Sequence, residues 1–192
     1  RWRLVLNVPP GWNAIANGKQ TGKVGSPDKV GLVFEETQPI STYLFAFAAG
    51  LFKEETAERD GRTFRMLHRE TDAKKVERNR EAIFDLHARA IKWLEDYTSI
   101  PYPFGKFDFV VLPAFQFGGM EHPGAIFYNE NGLLLDESAT ENQYLGRAAL
   151  ISHETAHMWF GDLVTMKWFN DVWMKEVFAN VMAAKIVNPS FP

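Results

Sequence analysis

The chain has 192 residues, enough for one domain or two small ones at about 100–200 residues per domain. Hydrophobic residues make up 46% and charged residues 23%, a balance that supports a buried core and excludes disorder as the main state. A formal net charge of −3 without a basic block argues against a nucleic-acid partner, and the lack of Cys removes disulfides, cysteine-held metal and thiol nucleophiles from consideration.

The chain opens on Arg1-Trp2-Arg3-Leu4, with no initiator Met and no signal peptide, and reads as part of a longer protein. Trp2, Leu4, Leu6 and Val8 alternate with their neighbours, the period-two pattern of a half-buried strand, which Pro9-Pro10-Gly11 stops. Asn17-Gly18 reads as a hairpin turn between Asn13–Ala16 and the residues that follow, and Gly22 to Gly31 reads as loop. Leu32 to Phe34 and Thr42 to Phe52 are short apolar segments. The longest apolar run, Tyr43 to Phe52, is too short for a membrane span of about 20 residues, so no membrane segment is expected. Thr63 to Arg69 reads as one more strand after an Asp60-Gly61 turn. Residues 1–70 are therefore expected to be β-rich.

The pattern changes near Thr71. Val76, Ile83, Phe84, His87, Ile91 and Leu94 recur at helical spacing between Asp72 and about Thr98, with Thr71 or Asp72 as cap and Pro101 and Pro103 preventing continuation. Phe107 to Leu112 and Ala125 to Tyr128 read as strands, Gly118-Gly119 as a turn or close-approach site, and Asn129 to Glu137 as loop. Thr140 and Gln143 form a capping box for a helix reaching about Phe160, which Gly161-Asp162 ends. Asn170 or Asp171 is placed to cap a last helix from Val172 to about Val187. Residues 71–192 thus form a second, mixed region, and the fold class is α+β.

His153-Glu154-Thr155-Ala156-His157 is an H-E-x-x-H pattern on the helix predicted from Thr140 to about Phe160. Residues i and i+4 lie about 40° apart round a helix axis and about 6 Å apart along it, so both imidazoles leave one face and reach one zinc. Glu154 points about 100° away from His153, beside the metal but outside its ligand shell, where a carboxylate takes a proton from water. Zinc needs a third protein ligand. Glu176, in the next predicted helix after 18 intervening residues (158 to 175), is the candidate. Asn180, one turn further, reads as a packing or capping residue, with a hydrogen bond to a ligand as the alternative. His68 and His87 are isolated and read as packing or surface groups.

At these residues the chain resembles the gluzincin metallopeptidases, and within them the aminopeptidase N family, which also contains leukotriene hydrolases. Gly118-Gly119-Met120-Glu121-His122 resembles that family's G-x-M-E-N exopeptidase motif. Tyr102-Pro103-Phe104-Gly105-Lys106-Phe107-Asp108, Trp168-Phe169-Asn170-Asp171-Val172-Trp173 and Ser41-Thr42-Tyr43-Leu44 agree with it, so the resemblance spans essentially the whole chain. It implies the end of an N-terminal β-sandwich-like domain over 1–70 and the first half of a thermolysin-like α/β catalytic domain over 71–192. It implies one Zn2+ per chain held by His153, His157 and Glu176, with Glu154 as general base. Glu121 would bind the free α-amine of a peptide substrate, and Gly118 and Gly119 would let the substrate backbone approach. Met120 reads as core packing. The implied activity is a zinc aminopeptidase. A zinc endopeptidase or leukotriene-type hydrolase on the same scaffold, and a catalytically inactive binding module, are the alternatives.

The sequence departs from the family pattern at four positions. His122 stands where Asn is usual and Gly119 where Ala is common. Lys175 and Val177 flank Glu176 in place of Asn and Gly. The family's catalytic tyrosine is expected several dozen residues past Glu176, beyond Pro192, so this stretch alone is expected to be inactive.

Overall fold

The structure is a computed structural model that describes residues 1–26 and 29–188. Its first layer is an antiparallel sheet in the order β1 (Leu4–Val8), β4 (Lys29–Phe34), β3 (Gln20–Ser26). The alternation in β1 is real: Leu4 and Leu6 pack against a small core of Val8, Ala14, Ala16, Leu32 and Phe34. β2 (Asn13–Ala16) pairs instead with β5 (Phe47–Gly50), in register Asn13↔Gly50 to Ala16↔Phe47.

Two expectations for this region therefore need correction. Asn17-Gly18 is not a hairpin turn, because β2 and β3 lie in different sheets. Asn17 is buried and ties three segments together: its amide donates to the Leu44 and Pro123 carbonyls at 3.0 Å each, and its carbonyl accepts from Ala46 N at 2.8 Å. Nor is Gly22 to Gly31 a loop, since β3 runs to Ser26 and β4 begins at Lys29 in register with it. The glycines weaken the strand pattern without preventing ladder bonds.

The second sheet has five strands, in the order β6 (Lys53–Arg59), β7 (Arg62–His68), β8 (Phe107–Leu112), β10 (Ile126–Asn129), β9 (Gly119–Met120). β7, β8 and β10 are parallel, while the edge strands β6 and β9 are antiparallel to their neighbours. This sheet draws strands from both sides of residue 70. β6 carries Lys53, Glu54, Glu55, Glu58 and Arg59, a polar edge strand with no apolar alternation to announce it. β8 is apolar apart from Asp108, which pairs with Lys106, because both its faces are covered. Phe107, Phe109 and Val111 enter the main core, and Val110 meets Ile15, Leu67 and Ala125 on the other face.

α1 (Ala73–Thr98) crosses the main-core face, burying Ile83, Phe84, Ile91 and Leu94, with Asp72 as its cap. His87 belongs to this face and is not a ligand. It is fully buried between the Ile83 carbonyl at 2.8 Å and the Tyr128 hydroxyl at 3.0 Å, and burial depresses its pKa to about 3. The segment after β10 contains one short helix, α2 (Glu130–Leu133), where only loop is expected from sequence.

α3 (Glu141–Ala156) begins with the predicted capping box: Thr140 Oγ1 accepts from Gln143 N, and Gln143 Oε1 accepts from Thr140 N. It stops at Ala156, short of the expected Phe160. His157 still has helical dihedrals and keeps its backbone bond to the His153 carbonyl at 3.2 Å, so the i, i+4 geometry survives. α4 (Trp173–Val187) has no side-chain cap: a 3-10 turn over Phe169–Asp171 leads directly into it, in place of the expected Asn170 or Asp171 cap. Among the described residues no helix is long and apolar enough to cross a membrane.

One buried polar network fixes α3. Arg147 Nη1 donates to Asn79 Oδ1 of α1 at 2.7 Å and to the Leu133 carbonyl of α2 at 3.3 Å, while Asn79 Nδ2 donates to the Lys75 and Leu135 carbonyls at 2.8 Å each. Breaking a buried, charge-assisted network costs more than removing an exposed cap. Asn79→Ala is expected to destabilise the protein by about 2–3 kcal/mol, against about 1 kcal/mol for Thr140→Ala. Thermal unfolding of the two variants checks this, and the reverse ranking would show that the network does not hold the helix.

Candidate metal centre

Two helices build the centre. α3 carries His153 and Glu154 and is capped by His157; α4 returns across it with Lys175, Ala179, Met182 and Ala183 turned inward, which brings Glu176 of its first turn over the two imidazoles. Phe160, just past α3, stacks on Phe178 of α4 at 5.8 Å between ring centroids. The return requires Gly161: its φ is +140°, and a Cβ there would lie 3.2 Å from His157 Nδ1 and 3.2 Å from Lys175 Cδ.

The three expected ligands converge. His153 Nε2 and His157 Nε2 are 3.1 Å apart, and Glu176 Oε2 lies 3.3 Å from the first and 3.4 Å from the second. A tetrahedral ion with ligand bonds of about 2.0–2.1 Å spaces its ligand atoms about 3.3 Å apart, so the triangle has the size such an ion needs. His157 Nδ1 is 3.0 Å from the Phe160 carbonyl, which assigns the proton to Nδ1 and leaves the Nε2 lone pair facing the centre. Burial lowers the His153 pKa, and the neighbouring His157 lowers it further, so the ring stays neutral and able to ligate. Glu176 is held down to about 2, first by the adjoining His157 ring.

A second trio, Glu121, Glu154 and His157, also has its ligand atoms within 4.8 Å of one another. Its chemistry differs. Glu121 is buried and already contacts the Lys175 ammonium, so its countercharge is present. Burial pushes Glu121 toward protonation, but His157 and Lys175 outweigh it and hold the carboxyl below its usual range. Glu154 behaves oppositely. Burial raises it well above the carboxylate range, Glu121 and Glu176 raise it further, and its Oε2 has no hydrogen-bond partner. A nearby dication would reverse that shift. The first trio, with two imidazoles and a partly exposed carboxylate, is the better fit to a zinc-type ion.

His153, Glu154, His157, Glu176, Glu121 and Gly119 line one cleft of about 280 Å³. Gly118, Gly119, His153 and Glu154 also border a larger adjoining cleft of about 620 Å³. Gly119 lies flush against the base: a Cβ there would fall 2.4 Å from Glu154 Oε1. Met120 is half-buried and lines the smaller cleft, contrary to its expected place in the core. Asn180 borders the larger cleft together with His153. His122 turns away, edge-on to Phe127 at 5.0 Å between centroids.

Sequence reading missed three contributors. Lys175 Nζ bridges Glu121 and, at 3.2 Å, Glu176 Oε1. Tyr43 lies under that ammonium, 5.0 Å from ring centroid to Nζ, and burial pushes its pKa up to about 12. Asp162 is buried with neither carboxylate oxygen hydrogen-bonded; burial and then Glu121 raise it well above the usual range. The departure at Lys175 was a signal for the first. Nothing local marked the others, because their roles depend on contacts across the fold.

The geometry predicts which residues hold an ion. Glu176→Ala and His157→Ala are expected to lose tight zinc binding, while Glu121→Ala keeps it, as measured by metal content after dialysis. Zinc retained by Glu176→Ala and lost by Glu121→Ala would assign the ion to the second trio.

A profile described as the Peptidase family M1 domain matches residues 82–192. The chain is 35% identical over 192 residues to a leucyl aminopeptidase of Saccharolobus solfataricus, covering 100% of this chain and 24% of that protein. It is 34% identical over 193 residues to a puromycin-sensitive aminopeptidase of Caenorhabditis elegans, covering 98% and 20%. It is 38% identical over 159 residues to an aminopeptidase N of Lactococcus lactis, covering 83% and 18%. The chain thus spans about a quarter or less of the length of these relatives. With more than half of its length matched by the family profile, and that half holding the H-E-x-x-H helix and Glu176, the chain belongs to peptidase family M1.

Proposed function

We propose that the protein containing this chain is a zinc aminopeptidase that removes N-terminal residues from peptides. The observation that carries the reading is the triangle of His153 Nε2, His157 Nε2 and Glu176 Oε2, with edges of 3.1, 3.3 and 3.4 Å, beside a buried Glu154 carboxylate. Zinc held there would polarise the scissile carbonyl and lower the pKa of attacking water. Glu154 takes the proton of that water and passes it to the leaving amine; its free Oε2 has no competing donor. The peptide lies along edge strand β9, where Gly118 and Gly119 let backbone approach backbone. Its chain continues toward the larger cleft.

Glu121 sets the exopeptidase register. A carboxylate pairs with a charged α-amine and gains nothing from a mid-chain amide; a charge-assisted bond of this kind is worth about 1.5–3 kcal/mol. Residues 71–192 are read as the first part of a thermolysin-like domain, its sheet completed by β6 and β7, and the earlier residues as the end of an N-terminal β domain. The convergence of His153, His157 and Glu176 weighs against an inactive binding module.

Two outcomes test the proposal in the full-length protein. Glu154→Gln is expected to keep its zinc and lose about 10²–10⁴-fold in turnover; parallel loss of zinc and activity would make the residue structural. N-terminal acetylation of a peptide substrate is expected to suppress its hydrolysis, and Glu121→Ala to lower kcat/KM for the free-amine form by about tenfold or more at unchanged zinc content. Unimpaired cleavage of the acetylated peptide would indicate an endopeptidase.

A further inference from the structure

Lys175 is the feature that the proposed mechanism leaves unused. Its side chain is buried, although a buried ammonium is costly without a partner. Its Nζ rests on Glu121 Oε1, 3.2 Å from Glu176 Oε1, and above the Tyr43 ring. The ammonium therefore lies on the same carboxylate that the proposed function gives to the substrate's α-amine. Two ammonium groups cannot pair fully with one carboxylate at once, and like charges in a poorly solvated cleft repel.

We infer that Lys175 is a specificity-determining residue, an internal competitor that occupies Glu121 in the resting site and that the ammonium of an incoming peptide must displace. The inference rests on the aminopeptidase reading. Displacement is feasible because Lys175 does not lose all its partners: Glu176 Oε1 already lies within reach. The consequence is a site that distinguishes a charged N-terminus from a neutral one less sharply than an unoccupied carboxylate would. A charge-assisted pair governs roughly one to two orders of magnitude in affinity, and Lys175 holds part of that range in reserve.

The test uses zinc-loaded full-length protein and two non-hydrolysable probes, L-leucinol and N-acetyl-L-leucinol, titrated by calorimetry. Lys175→Gln keeps a neutral donor for Glu121 while removing the charge. It is expected to bind L-leucinol at least about tenfold more tightly than the wild type and N-acetyl-L-leucinol within about threefold of it. Adding Glu121→Gln to that variant is expected to cancel the gain. Lys175→Arg retains the cation and is expected to match the wild type with both probes, which gives a second variant should the first lose its zinc or its fold. No gain in Lys175→Gln, or a gain in Lys175→Arg, overturns the inference if Glu121→Gln alone still weakens L-leucinol. If Glu121→Gln alone changes neither probe, the aminopeptidase reading itself fails, and the inference with it.

Discussion

Three lone pairs must meet at one point, and everything else in this structure serves or tolerates that constraint. Two imidazole nitrogens of one helix, 3.1 Å apart, face a carboxylate oxygen of the next. Without a cation such an arrangement is poor chemistry: once His157 Nδ1 serves the Phe160 carbonyl, a single His153 Nε2 proton would have to serve both the His157 Nε2 lone pair and Glu176 Oε2. The fold supplies the stiffness to hold it. Arg147 and Asn79 pin α3 to α1, Trp159 Nε1 ties the turn after α3 to the Ile100 carbonyl at 3.0 Å, and Phe160 stacks on Phe178 of α4. Gly161 permits the turn between the helices.

Charge gives the same account from another direction. Glu121, Glu154, Asp162 and Glu176 crowd one region, and Lys175 is the ammonium placed among them. It satisfies Glu121 and touches Glu176. Glu154 and Asp162 are left in surroundings that favour their protonated forms. A divalent ion held by His153 and His157 would supply the missing positive charge and, on the proposed reading, would let Glu154 act as a base. The site thus pushes neighbouring carboxylates in opposite directions, Glu121 beside the Lys175 ammonium and Glu154 without a cation.

The site was far more legible in the sequence than the sheets were. H-E-x-x-H on a capped helix is local geometry, and the 18 residues to Glu176 leave a returning helix as a short path. Strand partners are not local. Asn17-Gly18 carries a hairpin composition, yet Asn17 spends its side chain on Leu44, Ala46 and Pro123, and β2 crosses to β5. β6 escaped notice because an edge strand needs no apolar face. Lys175 was visible only as an oddity beside a ligand. That it reaches Glu121, 54 residues earlier, depends on β9 packing against α3, across which α4 returns.

The most direct measurement is anomalous diffraction at the zinc edge from crystals of the full-length protein. The account predicts a single strong peak about 2 Å from His153 Nε2, His157 Nε2 and a Glu176 carboxylate oxygen, with Glu154 and Glu121 outside bonding distance. A peak coordinated by Glu121 and Glu154, or a crystal grown with zinc that shows none at the two imidazoles, would contradict it.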